Sequence, residues 1–167
     1  MEQTITQKAE VITSTELFKH WMGHRQLTRR VIEAIPEKDF FSFSIGGMRT
    51  PALLVSELLA IAEPGLHQIV HGNTEALNEN LEFNNNKKTA LELWDKADAE
   101  IKKLWSQIKD ERFHDRIVTF GQYEGSVWSS IFYFIDNEIH HRAQMYVYLR
   151  ALGVEPPAFW ERDFGDK

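Results

Sequence analysis

The sequence predicts an all-α protein built as a four-helix bundle with one crossover connection. Four long segments repeat apolar residues at a spacing of three or four, which is typical of amphipathic helices. Helix-start signals precede three of these segments, and the connecting segments are longer than a minimal up-and-down bundle needs. No internal repeat or flexible linker divides the 167 residues, so we expect a single domain over residues 1–167.

The first helix is predicted over about residues 13–35. The pattern Thr13-x-x-Glu16 predicts a capping box at its start, in which two side chains satisfy free backbone N–H groups. Apolar residues then recur at helical spacing as far as Pro36, which ends the pattern.

The second helix is predicted over about residues 51–71. Thr50 is a favourable N-cap, and Pro51 suits the first helical position because its missing N–H would have no helical partner. Pro64 lies inside this helix, so we expect a kink or a broken turn there.

The third and fourth helices are predicted over about residues 89–109 and 126–152. A second capping-box pattern, Thr89-x-x-Glu92, indicates the start of the third helix. The fourth helix ends at Gly153, which is a typical C-terminal residue, and two prolines follow shortly after.

The segments outside the helices are predicted to be mainly loops. The connector before the fourth helix contains a short extended piece at Ile117–Phe120. The last ten residues, AFWERDFGDK, are interpreted as a tail that packs on the bundle through Phe159 and Trp160.

The composition excludes several classes of function. The net charge is −6 and basic residues occur at most in pairs or triplets, so we expect neither nucleic acid nor an anionic membrane as a partner. The chain has no cysteine, which excludes disulfides, thiolate metal sites and a cysteine nucleophile. Neither a signal-peptide pattern nor an uninterrupted run of 18 apolar residues occurs, so a cytoplasmic location is expected. Phosphate-loop and nucleophile-elbow motifs are also missing.

Polar residues within the apolar stripes indicate the candidate site. On the fourth helix, His141 lies within the apolar stripe, whereas the adjacent His140 points about 100° away. Glu57 on the second helix and His24 on the first also fall within apolar stripes. An unpaired carboxylate in such a place costs several kcal/mol, so Glu57 is expected to have a partner.

These residues could form a metal site in the core of the bundle, since histidine nitrogen and carboxylate oxygen suit a divalent transition metal. The candidate ligands are Glu57, His141, Asn137 and His24, with Glu57 and His141 as the candidate catalytic residues. The residues expected to support them are His140, Glu138, Gln144 and Tyr148.

Three other interpretations use no metal. Glu57 paired with Arg49 or Arg142 would be a structural ion pair, and a buried histidine is often simply a core residue. In a second interpretation, Glu57 and His141 form a hydrogen-bonded acid–base pair within a small-molecule pocket. In a third, the chain is a non-catalytic, stress-related homodimer whose five Trp and eleven Phe supply an apolar interface.

The fourth helix also resembles a known family. The segment NEIHHRAQMYVYLRALGVEPP is similar to the last bundle helix of the DinB/YfiT-like superfamily, and FSIGGMRTPALLVSELL resembles its entry into the second helix. The resemblance covers about residues 15–160 and implies a four-helix bundle with a crossover. It also implies a core site for nickel or zinc, commonly held by one histidine from the second helix and two from the fourth.

The ligand positions of this family are only partly kept in the chain. One falls on His141, another on Asn137, and the third on Glu57 or the adjacent Leu58. Family members with known activity include thiol-dependent transferases and a thiol-dependent isomerase. The resemblance therefore implies a metal-dependent transferase or hydrolase that acts on a small molecule. A low-molecular-weight thiol is one such substrate. We put this interpretation first and expect a homodimer.

Overall fold

The computed structural model describes residues 11–73 and 75–162, which form a bundle of four long helices. The long helices are α1 (Ser14–Ala34), α3 (Pro51–His71), α4 (Lys87–Trp105) and α5 (Val127–Ala151). Four shorter elements lie between them: α2 (Glu37–Phe40), a 3-10 helix (Asp110–His114), and the strands β1 (Arg116–Thr119) and β2 (Tyr123–Ser126). The predicted all-α bundle is confirmed, and α1 and α3 each pack against both α4 and α5. The chain therefore crosses the bundle diagonally between α1 and α3 and again between α4 and α5.

The first two long helices begin where their capping residues predict. The hydroxyl of Thr13 accepts from the backbone N–H of Glu16 at 3.1 Å, and the Glu16 carboxylate accepts from the backbone N–H of Thr13 at 2.8 Å. At α3 the hydroxyl of Thr50 accepts from the backbone N–H of Leu53 at 3.4 Å, and Pro51 occupies the first helical position. The helix continues through Pro64, so the turn there is not broken.

The start of α4 differs from the prediction. The helix begins at Lys87, and its N-cap is Asn86, whose side-chain oxygen accepts from the backbone N–H of Lys88 at 2.9 Å. Thr89 lies inside the first turn, so the predicted capping box is wrong. Asparagine is a stronger N-cap than threonine, and here it precedes the threonine.

The end of α4 also differs, since the helix stops at Trp105 and not at residue 109. The hydroxyl of Ser106 donates to the Lys103 carbonyl at 2.7 Å, and the Gln107 amide donates to the same carbonyl at 3.1 Å. These side-chain hydrogen bonds compete with the backbone bonds that would extend the helix.

The predicted extended piece before α5 is one strand of a β-hairpin. β1 pairs antiparallel with β2, and the turn between them includes Phe120 and Gly121 at φ values of 54° and 68°. Phe120 is buried, and its backbone N–H donates to the Gln68 side chain at 2.7 Å, which connects the hairpin to α3. The sequence indicated only β1 because β2, with the sequence YEGS, has no apolar alternation.

The C-terminal tail does not pack through its aromatic residues as predicted. Phe159 and Trp160 are 64% and 67% exposed, and their rings contact each other at a centroid distance of 5.2 Å. The tail contacts α1 through polar groups, including an ion pair between Arg30 and Glu161 at 3.7 Å.

The core contains two apolar clusters. One includes Trp21, Leu66, Trp105 and Phe134, and the other includes Ile32, Val55, Trp94 and Leu149. Between them lies a polar layer formed by His24, Arg25, Thr28, Glu57, Asp98, Asn137, Glu138, His141 and Arg142. Because α5 packs against both α1 and α3, its polar residues face two different helices.

One helix of the described residues, α3, is long and apolar enough to span a membrane by length and composition. The mean hydropathy of its apolar window is 1.3, and 72% of that window is buried in the bundle. The hydropathy of α3 is therefore accounted for by its place in the core, which makes it weak evidence for a membrane span.

Candidate functional site

A direct contact joins Glu57 of α3 to His141 of α5. The distance between Glu57 Oε1 and His141 Nε2 is 2.9 Å, and the two side chains are only 9% and 6% exposed. Each residue lies in an apolar stripe, so packing of α3 against α5 brings the two side chains together. We call these two residues the acid–base pair.

Two amide side chains of α5 fix the acid–base pair. Asn137 Nδ2 donates to Glu57 Oε1 at 2.8 Å, one helical turn before His141. Gln144 Oε1 lies 2.8 Å from His141 Nδ1, so oxygen atoms face both ring nitrogens. His140 is exposed, and its Nε2 lies 3.5 Å from the Gln144 amide nitrogen. The imidazole is thus oriented from both sides, with His140 at the outer edge.

Arg49 adds a positive charge to the same carboxylate. Its Nη2 contacts Glu57 Oε2 and lies 3.5 Å from His141 Nε2, and a second ion pair joins its Nη1 to Glu79 at 3.7 Å. The Arg49 side chain is 42% exposed, so it links the acid–base pair to solvent. The hydroxyl of Tyr148 donates to the Arg49 carbonyl at 2.7 Å, which holds this loop against α5.

The sequence indicated Arg49 only as a possible partner in a structural ion pair. The ion pair with Glu57 is present, and the guanidinium also approaches His141. Arg49 lies in a loop, where no helical periodicity predicts the direction of a side chain. The sequence indicated only that it lies near the start of α3, because it comes one residue before the Thr50 cap.

Glu57 is held as a carboxylate by its neighbours. Burial by itself would raise its pKa, but hydrogen bonds from Asn137, His141 and Arg49 outweigh that effect and hold the pKa below its usual value. A carboxylate with a lowered pKa is a weak base near neutral pH. Glu57 therefore serves to orient the imidazole of His141 and not to accept a proton.

His24 lies in a different part of the polar layer and is not brought to the acid–base pair. Its Nδ1 lies 2.9 Å from Arg142 Nη2, its Nε2 lies 2.7 Å from Arg162 Nη1, and His20 is 3.1 Å away. Burial, followed by the charges of Arg142 and Arg162, lowers the pKa of His24 to about 3. Two guanidinium neighbours disfavour a metal ion here, so the geometry does not support His24 as a ligand.

Glu138 faces α1 and is also separate from the acid–base pair that it was expected to support. Its Oε1 accepts from the Thr28 hydroxyl at 2.5 Å, and Arg25 and Arg142 lie 3.6 Å and 3.7 Å from its carboxylate. Burial raises the pKa of Glu138, although Arg25, Thr28 and Arg142 act against that rise. Glu138 therefore connects α5 to α1.

The donor set does not fit the three-histidine metal site that the resemblance implies. The Glu57 oxygens contact Asn137, His141 and Arg49, and the guanidinium already supplies positive charge at this carboxylate. Asn137 turns its NH2 group to Glu57, while its buried Oδ1 has no hydrogen-bond partner among the described residues. Within residues 11–73 and 75–162, no group of three or more His, Cys, Asp or Glu side chains is arranged to hold a metal ion.

Comparison with known proteins identifies relatives of this fold. The model of the DinB family matches residues 1–166. A solved DinB-like protein from Bacillus cereus ATCC 10987 is similar with a TM-score of 0.71 at 16% identity, covering 86% of this chain and 95% of that one. A second, from Bacillus subtilis, has a TM-score of 0.68 at 20% identity and covers 86% and 96%.

A third solved structure is the mycothiol-dependent maleylpyruvate isomerase. Its TM-score is 0.62 at 13% identity, and the match covers 80% of this chain and 61% of that one. At these identities the three structural likenesses concern the fold. Comparison with curated protein sequences gives no match.

Proposed function

The chain belongs to the DinB family, and we propose that it is an enzyme that activates a small thiol at the acid–base pair of Glu57 and His141. The position of Arg49 carries this proposal. Its guanidinium contacts Glu57, lies 3.5 Å from His141 Nε2 and is partly exposed. A cation that solvent can reach thus lies beside an oriented and nearly buried imidazole.

The chemistry follows from the charges at this place. A thiol bound beside Arg49 gives its proton to His141, and the guanidinium, which also pairs with Glu57, offsets part of the charge of the thiolate. The sulfur then forms a bond to an electrophilic carbon of a small second substrate. In a transfer reaction, the leaving group departs from that carbon with its electron pair and takes up the proton held by His141.

One structural likeness supports a thiol as the ligand class, and the composition shows that such a thiol has to come from a substrate. The chain has no cysteine, so any thiol in the reaction comes from a substrate. The fold is also shared with a mycothiol-dependent isomerase, at a TM-score of 0.62. No step of the proposed reaction uses a metal. Binding of nickel or zinc is a prediction from the resemblance alone, and the contact of Arg49 with Glu57 argues against it. The homodimer also stays a prediction.

Ionisation of a bound thiol tests the proposal directly. The ultraviolet absorbance of the thiolate is measured while the protein is titrated at neutral pH with cysteine, glutathione and 2-mercaptoethanol in turn. We expect saturable thiolate absorbance for at least one thiol with the wild-type chain. It should be lost in Arg49→Met, because the methionine keeps the length of the side chain without its charge.

Arg116, an exposed arginine of β1 that pairs with Glu124, provides a matched control, since Arg116→Met makes the same substitution away from the acid–base pair. The same proteins are assayed for thiol consumption with 1-chloro-2,4-dinitrobenzene as electrophile. The proposal fails if no thiol gives thiolate absorbance above that of the free thiol. It also fails if Arg49→Met behaves like Arg116→Met.

A further inference from the structure

A cavity lies between α3 and α4, apart from the acid–base pair. Its volume is about 560 Å³, which is within the range of small-molecule sites. Much of its wall is apolar: Leu59, Ala60, Pro64, Leu93, Ala97 and Phe120. Residues of the segment 75–81 line the cavity as well, whereas Arg49 and the acid–base pair do not.

The carboxylate of Glu63 is the distinctive group in this cavity. Glu63 is half-buried, and within the part of the chain that the structure describes it makes no hydrogen bond or ion pair. Burial raises its pKa; His67 and Lys96 act against the rise, while Glu100 and Glu75 add to it. Its charge is therefore only weakly compensated.

The other ionisable groups that line the cavity near Glu63 are largely engaged elsewhere. Glu100 pairs with Lys103 at 2.7 Å, and Glu75 accepts from the Asn73 amide at 3.3 Å. The ring of His67 lies 3.3 Å from the side-chain oxygen of Asn73. Lys96 is exposed, and no ion pair joins it to Glu63 among the described residues. Glu63 is thus the carboxylate available to a ligand.

We propose that this cavity binds a small organic cation, namely a primary amine attached to an apolar group. The ammonium group pairs with Glu63, and the apolar group occupies the space between α3 and α4. A half-buried carboxylate has lost hydration without gaining a partner, so a cationic ligand restores the interaction that burial removed. A neutral ligand of the same shape gains only the apolar contacts.

The probes are 2-phenylethylamine and 2-phenylethanol, which differ in one terminal group. Binding to the intact chain is measured by calorimetry and by amide NMR shifts at neutral pH. We expect the amine to bind about tenfold more tightly than the alcohol, which corresponds to about 1.4 kcal/mol. The shifted amides should belong to residues around the cavity, such as Leu59, Gln68 and Ala97.

Glu63→Gln removes the charge with little change in shape, so it should remove the preference for the amine and leave the alcohol unaffected. Glu92→Gln makes the same charge change on an exposed position of α4 outside the cavity and is the control. The amine should also bind the wild type more weakly as the pH falls through the raised pKa of Glu63, because the carboxyl becomes neutral.

Equal affinity for the two probes would overturn the proposal. Equal losses in Glu63→Gln and Glu92→Gln would also overturn it, since they would reflect the overall negative charge of the chain. Amide shifts confined to the surroundings of Glu57 and His141 would place the amine at the other site and contradict the assignment. Thermal melts of both variants show whether each remains folded.

Discussion

The hydroxyl of Tyr148 donates a hydrogen bond to the backbone carbonyl of Arg49 at 2.7 Å. Through this contact α5, which carries His141 and Asn137, also positions the loop that carries the guanidinium. The three groups that contact Glu57 therefore depend on one helix. A small displacement of α5 would move them together, which keeps their mutual geometry constant.

Removal of the Tyr148 hydroxyl should make Arg49 more mobile without leaving a cavity in the core. Tyr148→Phe keeps the ring, which packs edge-to-face on Phe43 at a centroid distance of 5.5 Å. We expect the free energy of unfolding to fall by about 1 kcal/mol and the affinity for the thiol to fall several-fold. Urea unfolding and thiolate titration measure the two effects. An unchanged thiol affinity would show that the Tyr148 hydrogen bond does not position the cation.

The stability contributed by the ionised Glu57 should depend on pH in one direction. Its pKa lies below that of the unfolded chain, which is about 4.3. The stabilisation is therefore complete above the unfolded value and is lost as the pH falls through the lowered pKa. Urea unfolding of the wild type and Glu57→Gln across this range should give curves that converge in acid. A gap that widens in acid would mean that the Glu57 pKa is raised.

The metal content of the chain should respond to two substitutions in combination. Protein purified without a histidine tag should carry well below one nickel or zinc ion per chain, because Arg49 contacts Glu57. Asn137→His combined with Arg49→Ala supplies the second histidine one turn before His141 and removes the competing cation. We expect elemental analysis to show metal uptake in the double variant and little in Asn137→His alone.

One result would reverse that conclusion. If the wild type carries close to one metal ion per chain and His141→Ala loses it, the metal-dependent interpretation holds and Arg49 moves away when the ion binds. His24→Ala is the matched control, since His24 contacts Arg142 and Arg162 and not the acid–base pair.

The close approach of α3 and α5 should make Gly65 intolerant of any side chain. A Cβ atom at Gly65 would lie 2.3 Å from Cζ of Phe134. Gly65→Ala should therefore lower the free energy of unfolding by about 1–3 kcal/mol, although alanine is the better helix former. Phe134→Leu in the same chain should recover part of the loss, which a double-mutant cycle by urea unfolding would measure. Additive losses would mean that the helices adjust elsewhere.

Helical phase singled out Glu57 and His141 in the sequence, because each is a polar residue in an apolar stripe of a long helix, and the structure places the two side chains in contact. The same phase grouped His24 with them, since an angle around a helix says nothing about which neighbour the residue meets. The contacts that separate His24 come from Arg142 and from Arg162 in the tail, both of which lie far from it in sequence. Arg49 has no helical phase at all, and its position depends on Tyr148.

Local chemistry explains the errors in element boundaries. Two cap candidates, Asn86 and Thr89, lie three residues apart, and the helix begins at asparagine, which is the stronger N-cap of the two. The end of α4 depends on hydrogen bonds from Ser106 and Gln107 that no apolar period reveals. The bundle architecture can be predicted correctly despite such boundary errors, because it depends on the apolar stripes of the helices.

The polar layer between the two apolar clusters has a consequence for the alignment of the helices along the bundle. Apolar side chains alone would tolerate a slide of one helix by a turn, about 5.4 Å, with modest loss of contact. Such a slide of α5 against α1 would separate Glu138 from Thr28 and Arg25 and leave buried charges without partners. The polar layer therefore fixes the position of α5 along the bundle axis, and with it the position of His141 relative to Glu57.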